Sequence, residues 1–329
     1  MAGSTQKDDN GQVLALCGGV GGAKLALGLY RVLGPDRLTL VVNTGDDFEH
    51  LGLHISPDLD TVTYTLAGLS NTELGWGRAN ETWTFMAAVE ALGGESWFRL
   101  GDGDLATHVE RTRRLRAGES LTAIAGDFAA RLGIRARLLP MTDDPVRTVV
   151  HTADGALPFQ HYFVRLRCAP VATGFSFEGA AEAKASPDVL QALADPDLRA
   201  VVLCPSNPYL SIDPILALPD IRSALLRCAA PVVAVSPIVG GRAVKGPTAK
   251  IMAELGIPAS SAAVADHYRG LLDGLVLDRA DASEAAHLDL PIELTGTVMS
   301  SLQDRERLAK TVLAFAERLG STAKERRHG

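Results

Sequence analysis

Short apolar runs alternate with segments of helical periodicity in the N-terminal part of the chain. The apolar run at 13–17 predicts a buried strand, and a glycine-rich turn follows at 18–22. A helix with one apolar face comes next and ends at Gly34-Pro35; its apolar positions are Leu25, Leu29, Val32 and Leu33. Residues 38–42 predict a second strand. Because the connection is long enough for a right-handed crossover, we expect the two strands to be parallel.

The same alternation returns in the C-terminal half. Apolar runs predict strands at 200–203, 231–235 and 274–278. Helices are predicted between them, and Pro187 and Pro247 each suit a first helical turn. The predicted helices span 187–194, 214–228 and 247–255.

The middle of the chain has a different pattern. Residues 83–92 and 105–132 have helical periodicity, whereas 146–151 and 161–168 alternate and predict a hairpin or edge strands. We therefore expect one α/β domain over 1–329, with a Rossmann-like, mostly parallel sheet and helices on both of its faces. Its parts are a core at about 13–70 and 195–280, a helical insertion with a small β hairpin at about 71–195, and a C-terminal helix at about 303–319.

Composition and charge exclude several classes of protein. Aromatic residues make up 5% of the chain and the net charge is −7, with no basic block except Lys324, Arg326 and Arg327 near the end, so we expect no nucleic-acid partner. No apolar run approaches the ~20 residues of a membrane helix. The four cysteines form no CxxC pair and the N-terminus has no apolar signal core, which predicts reduced thiols and a cytoplasmic location.

The glycine-rich turn at 18–22 suits a phosphate group. Glycines let backbone approach a ligand, and the N-terminus of the following helix favours negative charge. The turn does not complete a known phosphate motif, because the Walker loop needs Gly-Lys-Ser/Thr and the dinucleotide fingerprint meets Lys24 at its third glycine position. A tight strand–helix turn remains the alternative, with Lys24 as either a phosphate contact or a solvated helix lysine.

Acidic side chains follow the second predicted strand. Asp46 and Asp47 end it, at the edge where open α/β sheets bind ligands, and Asp58 and Asp60 follow two residues apart. In an extended segment Asp58 and Asp60 would share one side, whereas at a helix start one of them would cap. Such oxygen ligands suit Mg²⁺. Helix capping or a solvated turn is the alternative.

Three further polar clusters stand out, although each alone is typical of a turn or cap. They are the segments 77–83, 99–108 and 206–208. His108 alone is typical of a structural histidine, and no zinc spacing is present.

Taken together and in order, the segments between about 13 and 280 resemble one family, the 2-phospho-L-lactate transferases. The segments that carry the resemblance are GGVGGAKL, VVNTGDD, ISPDLDTVTYTLAG, WGRANETW, LGDGDLATH, LLPMTDDPVRT, CPSNPYLSIDPIL and VVAVSPIVGG. Several of them are long and unusual, so their agreement in this order is specific.

The resemblance implies a reaction in coenzyme F-420 biosynthesis. A guanosine diphosphate ester of a three-carbon acid is the implied donor, and the deazaflavin Fo accepts through its terminal ribityl hydroxyl. The transferred group is 2-phospho-L-lactate, phosphoenolpyruvate or 3-phosphoglycerate; GMP leaves, and Mg²⁺ is required. A homodimer is also implied.

The matching motifs imply roles for particular residues. The phosphate and nucleotide contacts would be Gly19, Val20, Gly21, Gly22, Lys24, Ser206 and Asn207. Asp46 and Asp60 are implied as metal ligands or as the groups that activate the acceptor. The implied contacts of Fo are Asp60, Arg99, Asn80, Glu81 and His108. Gly103 departs from the family pattern, which implies a basic residue there.

Two other functions are compatible with the pattern. An NAD(P)-dependent oxidoreductase is disfavoured by the broken fingerprint and by the lack of an obvious acid for the ribose, unless Asp46 or Asp47 serves. A nucleotide- or flavin-binding module without turnover is disfavoured by the number of acids near strand ends.

Overall fold

The computed structural model describes residues 11–34, 36–72, 76–244 and 246–328. Within these ranges the strands are β1 (Gln12–Cys17), β2 (Leu38–Val42), β3 (Phe48–His50), β4 (Leu53–Ile55), β5 (Arg137–Pro140), β6 (Arg147–Thr152), β7 (Gly155–Pro158), β8 (Ala172–Glu178), β9 (Leu198–Leu203), β10 (Val232–Val235), β11 (Ile238–Val239), β12 (Arg242–Ala243), β13 (Gly274–Asp278) and β14 (Ile292–Thr295). The α-helices are α1 (Gly19–Leu33), α2 (Pro57–Leu66), α3 (Thr84–Ala91), α4 (Asp102–Arg116), α5 (Leu121–Arg131), α6 (Pro187–Leu193), α7 (Asp213–Leu216), α8 (Pro219–Arg227), α9 (Thr248–Glu254), α10 (Ser261–His267), α11 (Ala282–Ala285) and α12 (Leu302–His328).

Seven parallel strands form the central sheet, in the order β14-β13-β10-β9-β1-β2-β5. From β1 the chain adds β2 and β5 on one side and later adds β9 and β10 on the other. The strand order therefore reverses between β1 and β9. In open α/β sheets a crevice forms at such a reversal, outside the carboxyl ends of the strands.

The side chains of β1 show why both faces of the sheet are covered. Leu14 and Leu16 point into one apolar core, while Val13, Ala15 and Cys17 point into the other, as the two-residue period of a strand requires. Helices α6, α8, α9 and α10 pack on the first face, and α1, α2, α5 and α12 pack on the second. This confirms the predicted α/β class with helices on both faces.

The predicted strands and helices of both halves are present, but the sheet extends beyond the predicted core ranges. Strand β5 joins it from within 71–195, the segment predicted to be an insertion, and β14 joins it after 280. Neither strand was predicted. The small antiparallel part is a three-stranded sheet, β7-β6-β8, and β3–β4 and β11–β12 form two further pairs.

The structure corrects the local predictions in several places. Residues 161–168 do not form a strand, because His161–Arg165 is a π-helix with Tyr162 as its buried residue, and β8 takes the place beside β6. The stretch 105–132 is two helices, since Gly118 turns the chain with φ of 89°. Likewise 214–228 is divided into α7 and α8, and Pro247 lies just before α9.

Among the described residues no helix has the length and apolar character needed to cross a membrane. The predictions for residues 1–10 and Pro35 fall outside the described part of the chain, as do those for the side chains of Lys324, Arg326 and Arg327.

Candidate functional site

A cavity of 760 Å³ opens where the strand order reverses, at the carboxyl ends of β1, β9 and β10. The predicted site residues that line it are Gly19, Val20, Gly21, Lys24, Asp46, Asp60, Arg99, His108, Ser206 and Asn207. Gly22, Asn80 and Glu81 do not line it. The cavity thus brings together side chains that are up to about 190 positions apart in the sequence, as expected for a switch-point site.

The glycine turn is shaped mainly by its packing on the loop after β9. Gly19 has φ of 62°, a conformation that favours glycine. A Cβ on Gly21 would lie 2.5 Å from the Pro205 carbonyl oxygen, and one on Gly22 would overlap the hydroxyl of Ser206. That hydroxyl donates to the Gly18 carbonyl at 2.8 Å and accepts from the Gly18 N–H at 3.2 Å. Ser206 therefore holds the turn in place.

Asp58 closes the turn from the opposite side. One carboxylate oxygen accepts the Gly19 N–H at 2.7 Å, and the other accepts from the Asn43 amide at 2.9 Å. Asn43 also donates to the Leu210 carbonyl and accepts the Gly45 N–H at 2.8 Å. Asn43 was not among the predicted site residues, and Asp58 was named only as a possible oxygen ligand or helix cap. Asp58 lies in the first turn of α2, so the acids at 58 and 60 belong to a helix and not to an extended segment.

Asp46 is a buried carboxylate at the cavity wall. Its side chain accepts a long hydrogen bond from Thr148 at 3.5 Å. Burial raises the pKa of Asp46 well above its ordinary value, and the nearby charge of Asp58 adds to that shift. Burial likewise raises the pKa of Asp58 to about 6. Asp47 does not line the cavity and accepts from Ser56 at 2.8 Å, but its charge adds to the raised pKa of both Asp46 and Asp58.

Asp60 lies in a buried polar network at another part of the wall. Both of its oxygens accept from the guanidinium of Arg111, which is 1% exposed. Asp104 lies 3.3 Å from the Nε2 atom of His108 and accepts from the Tyr64 hydroxyl at 2.7 Å. Burial raises the pKa of Asp60, although the charge of Arg111 opposes the shift. Asp60 is therefore an ionisable group held in one orientation at the cavity.

Aromatic side chains form the remaining wall. The chain has three tryptophans, of which Trp76 and Trp97 line the cavity. The guanidinium carbon of Arg99 lies 4.5 Å from the centre of the third, Trp83. Phe98, Phe159 and Phe163 complete this wall. Concentrating aromatic rings at one cavity in an aromatic-poor chain indicates a flat, apolar ligand.

Other predicted residues have structural partners. Lys24 lines the cavity and donates to the Met299 carbonyl at 3.0 Å. Glu81 accepts the N–H groups of Gly103 and Asp104 at 2.6 and 2.8 Å and so caps α4. Asn80 has φ of 58° in the preceding turn. The side-chain oxygen of Asn207 accepts from the N–H groups of Tyr209 and Leu210, at the start of the π-helix Pro208–Ile212.

Two carboxylate groupings are candidates for a cation. Asp60, Asp104 and His108 offer ligand atoms within 4.8 Å of one another, but Arg111 already neutralises Asp60. Asp46 and Asp58 are both buried and face no ion-pair partner among the described residues, and besides burial the charge of Asp58 raises the pKa of Asp46. Buried carboxylates without a paired cation are costly, so the Asp46–Asp58 grouping fits Mg²⁺ better.

The fold and the site define an α/β enzyme of the Rossmann-like class, whose cavity at the strand reversal joins buried acids to an aromatic wall. Comparison with known proteins identifies the family within this class. The sequence profile described as "2-phospho-L-lactate transferase CofD" matches residues 13–315, so the chain belongs to the 2-phospho-L-lactate transferase family. It is thus a transferase of the kind that acts in coenzyme F-420 biosynthesis, as the sequence resemblance implied.

Individual relatives cover nearly all of the chain. A phosphoenolpyruvate transferase of Kitasatospora aureofaciens is 42% identical over 318 residues, which are 94% of this chain and 98% of the relative. A 2-phospho-L-lactate transferase of Methanosarcina mazei is 39% identical over 304 residues, 92% of this chain and 99% of that one. A UPF0052-family protein of Bacillus halodurans shares the fold alone, with a TM-score of 0.62, 15% identity and coverage of 92% and 98%.

Proposed function

We propose that this transferase moves a phosphorylated three-carbon acid from a guanosine diphosphate donor to the terminal ribityl hydroxyl of Fo, with release of GMP. The observation that carries the proposal is the composition of the cavity, in which a helix N-terminus and buried acids adjoin an aromatic wall. A phosphoryl donor and a flat aromatic acceptor need these two kinds of surface side by side.

The donor would lie along the glycine turn and the loop after β9. The N-terminus of α1 carries a partial positive charge, and Val20 and Gly21 of its first turn line the cavity. The side-chain oxygen of Asn207 caps the following π-helix. Its amide nitrogen would donate a hydrogen bond to the nucleotide. Ser236, Thr248 and Thr297 extend this polar side of the cavity.

Fo would lie against the aromatic wall. Its ring system is flat, and Trp97, Phe98 and Phe163 offer faces and edges for stacking. Arg99 is already stacked on Trp83, so its guanidinium is held at the rim of the same wall. A fluorescence titration of Fo against wild type and the Arg99→Ala variant tests this placement. Unchanged Fo affinity in Arg99→Ala would remove this residue from the proposed site.

The transfer itself needs little covalent chemistry from the protein. The acceptor oxygen forms a bond to the distal phosphorus, and the bond from that phosphorus to the oxygen of GMP breaks. Asp60 would orient the acceptor hydroxyl and take its proton, because its carboxylate is held by Arg111 and its pKa is raised by burial. Asp60→Asn should reduce turnover strongly.

We propose that Asp46 and Asp58 hold a Mg²⁺ ion when it is bound, with Asp60 as the alternative ligand to be tested. Such an ion would neutralise the negative charge of the donor phosphates. The proposal is supported by the burial of both carboxylates, neither of which has an ion-pair partner among the described residues.

An assay with the three guanylated donors identifies which three-carbon acid the protein transfers. The relative from Kitasatospora aureofaciens is a phosphoenolpyruvate transferase, and its identity exceeds that of the phospholactate transferase from Methanosarcina mazei. We therefore place phosphoenolpyruvate first. Purified protein with Mg²⁺ and Fo is incubated with each of the three guanylated donors, and GMP and the deazaflavin product are resolved by mass. A protein that binds Fo and yet releases no GMP with any donor would instead be a binding module without turnover.

A homodimer and a cytoplasmic location are also part of the proposal. Cys17, Cys168, Cys204 and Cys228 form no disulfide in the structure, and we expect reduced thiols in such a compartment. Light scattering of the purified protein measures the oligomeric state.

A further inference from the structure

Two consecutive residues near the cavity have a strained backbone. Arg167 and Cys168 have φ of 51° and 54°, in the left-handed region that disfavours side chains with a Cβ. Among the described residues, the other non-glycine positions with positive φ are Asp36, Leu51 and Asn80. Of these five, Arg167 is the one that lines the cavity. Strain of this kind persists only where the surrounding structure enforces it, and it clusters at functional sites.

Hydrogen bonds from the π-helix enforce this conformation. The N–H of Leu166 donates to the His161 carbonyl and that of Cys168 donates to the Tyr162 carbonyl, both at 2.8 Å. These bonds end the π-helix and turn the chain sharply at Arg167. A single π-helical turn beside a ligand cavity is itself a common feature of functional sites.

Helix α9 fixes the turn from outside. The ammonium of Lys250 donates to the Pro170 carbonyl at 3.2 Å and to the Tyr162 hydroxyl at 3.4 Å, and it pairs with Glu254. Glu254 in turn accepts the Ala172 N–H at 3.1 Å. The Lys250–Glu254 pair therefore forms hydrogen bonds to the chain on both sides of Arg167 and Cys168.

Arg167 differs from the other cations at the cavity. Lys24 donates to the Met299 carbonyl, and Arg99 is stacked on Trp83. The side chain of Arg167 is exposed at the cavity wall, beside Phe163 and Val164. A guanidinium presented in this way is suited to a fork of hydrogen bonds with a carboxylate or phosphate.

We propose that Arg167 is a specificity-determining contact for an anionic oxygen group of the donor, and that the Lys250–Glu254 pair positions it. This inference rests on the proposed function for the identity of the donor. The anionic group is either the carboxylate of the three-carbon acid or a phosphate of the nucleotide, and both offer the same oxygen chemistry to the guanidinium.

The test compares Arg167→Gln, Arg167→Lys and, as a matched control, Arg227→Gln, which removes an exposed arginine from α8 far along the chain. We expect Arg167→Gln to raise the donor KM about tenfold or more, as for the loss of a hydrogen bond to a charged group, with the KM for Fo unchanged. Arg167→Lys should recover part of the loss. Inhibition by GDP shows which anionic group Arg167 contacts. If the contact is to a phosphate, GDP inhibits Arg167→Gln more weakly than wild type. If the contact is to the carboxylate of the acid, GDP inhibits both proteins equally.

A stability measurement separates this role from a structural one. Arg167→Gly relieves the left-handed strain, so we expect its Tm to rise while the donor KM rises as in Arg167→Gln. Lys250→Met should also raise the donor KM, because the turn is loosened. A donor KM of Arg167→Gln equal to that of Arg227→Gln overturns the proposal, and so does a rise confined to the KM for Fo.

Failure of the proposed function is distinguishable from failure of this inference. If wild type releases no GMP with any donor, the reaction is wrong, and calorimetric binding of the guanylated donor to wild type and Arg167→Gln then decides the role of Arg167. Equal affinities of the two proteins would refute it.

Discussion

The amide of Asn43 donates to the carboxylate of Asp58 across 2.9 Å, and both side chains are buried. This bond joins the end of β2 to the first turn of α2, and the other oxygen of Asp58 continues the link to Gly19 at the start of α1. Three segments that line the cavity are therefore held by one carboxylate and one amide. We infer that the relative positions of these three segments depend on the hydrogen bond from the Asn43 amide to the Asp58 carboxylate.

An exchange of these two residues tests that dependence. Asn43→Asp faces one buried carboxylate with another and leaves no donor between them, so we expect a loss of about 3 kcal/mol of unfolding free energy. The double variant Asn43→Asp/Asp58→Asn restores a donor–acceptor pair and should recover at least half of that loss. Urea denaturation of the three proteins measures it. A double variant no more stable than Asn43→Asp would show that the bond does not hold the segments.

The buried pair of Asp60 and Arg111 gives a second prediction. Arg111→Met leaves the Asp60 charge buried without its partner, which should cost about 3–5 kcal/mol of unfolding free energy. In Asp60→Leu/Arg111→Met neither charge remains, and most of the stability should return while turnover stays lost. Denaturation and GMP release are measured on the same preparations. Recovery of turnover in the double variant would exclude Asp60 from the reaction.

The strands and helices that could be predicted from the sequence are those whose formation depends on residues close together in the chain. The run at 13–17, its glycine turn and the amphipathic helix that follows are local patterns, and each is present. Strands β5 and β14 were missed because Arg137–Pro140 and Ile292–Thr295 are four residues long and include polar residues at the sheet edges. Their place is decided by pairing with distant strands, which no local period reveals.

The site residues that were missed act through distant partners. Asn43 donates to the Leu210 carbonyl from 167 positions away, and Arg111 donates to Asp60 from 51 positions away. In the sequence, Arg111 is one of several arginines on α4, where Arg113 and Arg116 are exposed. Nothing local distinguishes the buried arginine from the solvated ones. Motif resemblance found the acids at 46 and 60, whereas the residues that hold such acids became visible only through contacts.

Close packing of α1 against α12 gives a third prediction. A Cβ on Gly28 would overlap the backbone carbonyl of Arg305, which cannot move as a side chain can. Gly28→Ala should therefore lower the unfolding free energy by about 1–3 kcal/mol. Gly126 lies within α5 with open space around it, so Gly126→Ala should raise the unfolding free energy by about 0.5–1 kcal/mol. Thermal melting compares the two substitutions, and equal shifts would contradict the packing.

The two buried acids at the cavity predict how pH and Mg²⁺ act together. The folded-state pKa of Asp58, about 6, lies above its ordinary value of 3.8, so ionisation of this group disfavours the folded protein. From this group the protein gains stability as the pH falls from about 7 to about 4, and it loses that stability as the pH rises again. The pKa of Asp46 is raised too, which adds to the effect in the same direction.

A bound divalent cation offsets the destabilisation caused by the buried negative charges, and it can do so only at a pH where Asp46 and Asp58 are ionised. We therefore expect Mg²⁺ to raise Tm clearly at about pH 7.5 and little at about pH 5, because protons compete for the same oxygens. In Asp46→Asn this difference between the two pH values should largely disappear, whereas Asp102→Asn, which alters a half-buried acid that caps α3 outside the cavity, should keep it. Differential scanning fluorimetry with and without Mg²⁺ makes the comparison. An equal rise in Tm at both pH values, or a full response in Asp46→Asn, would mean that the cation binds elsewhere, and Asp60→Asn would then be the next variant to test.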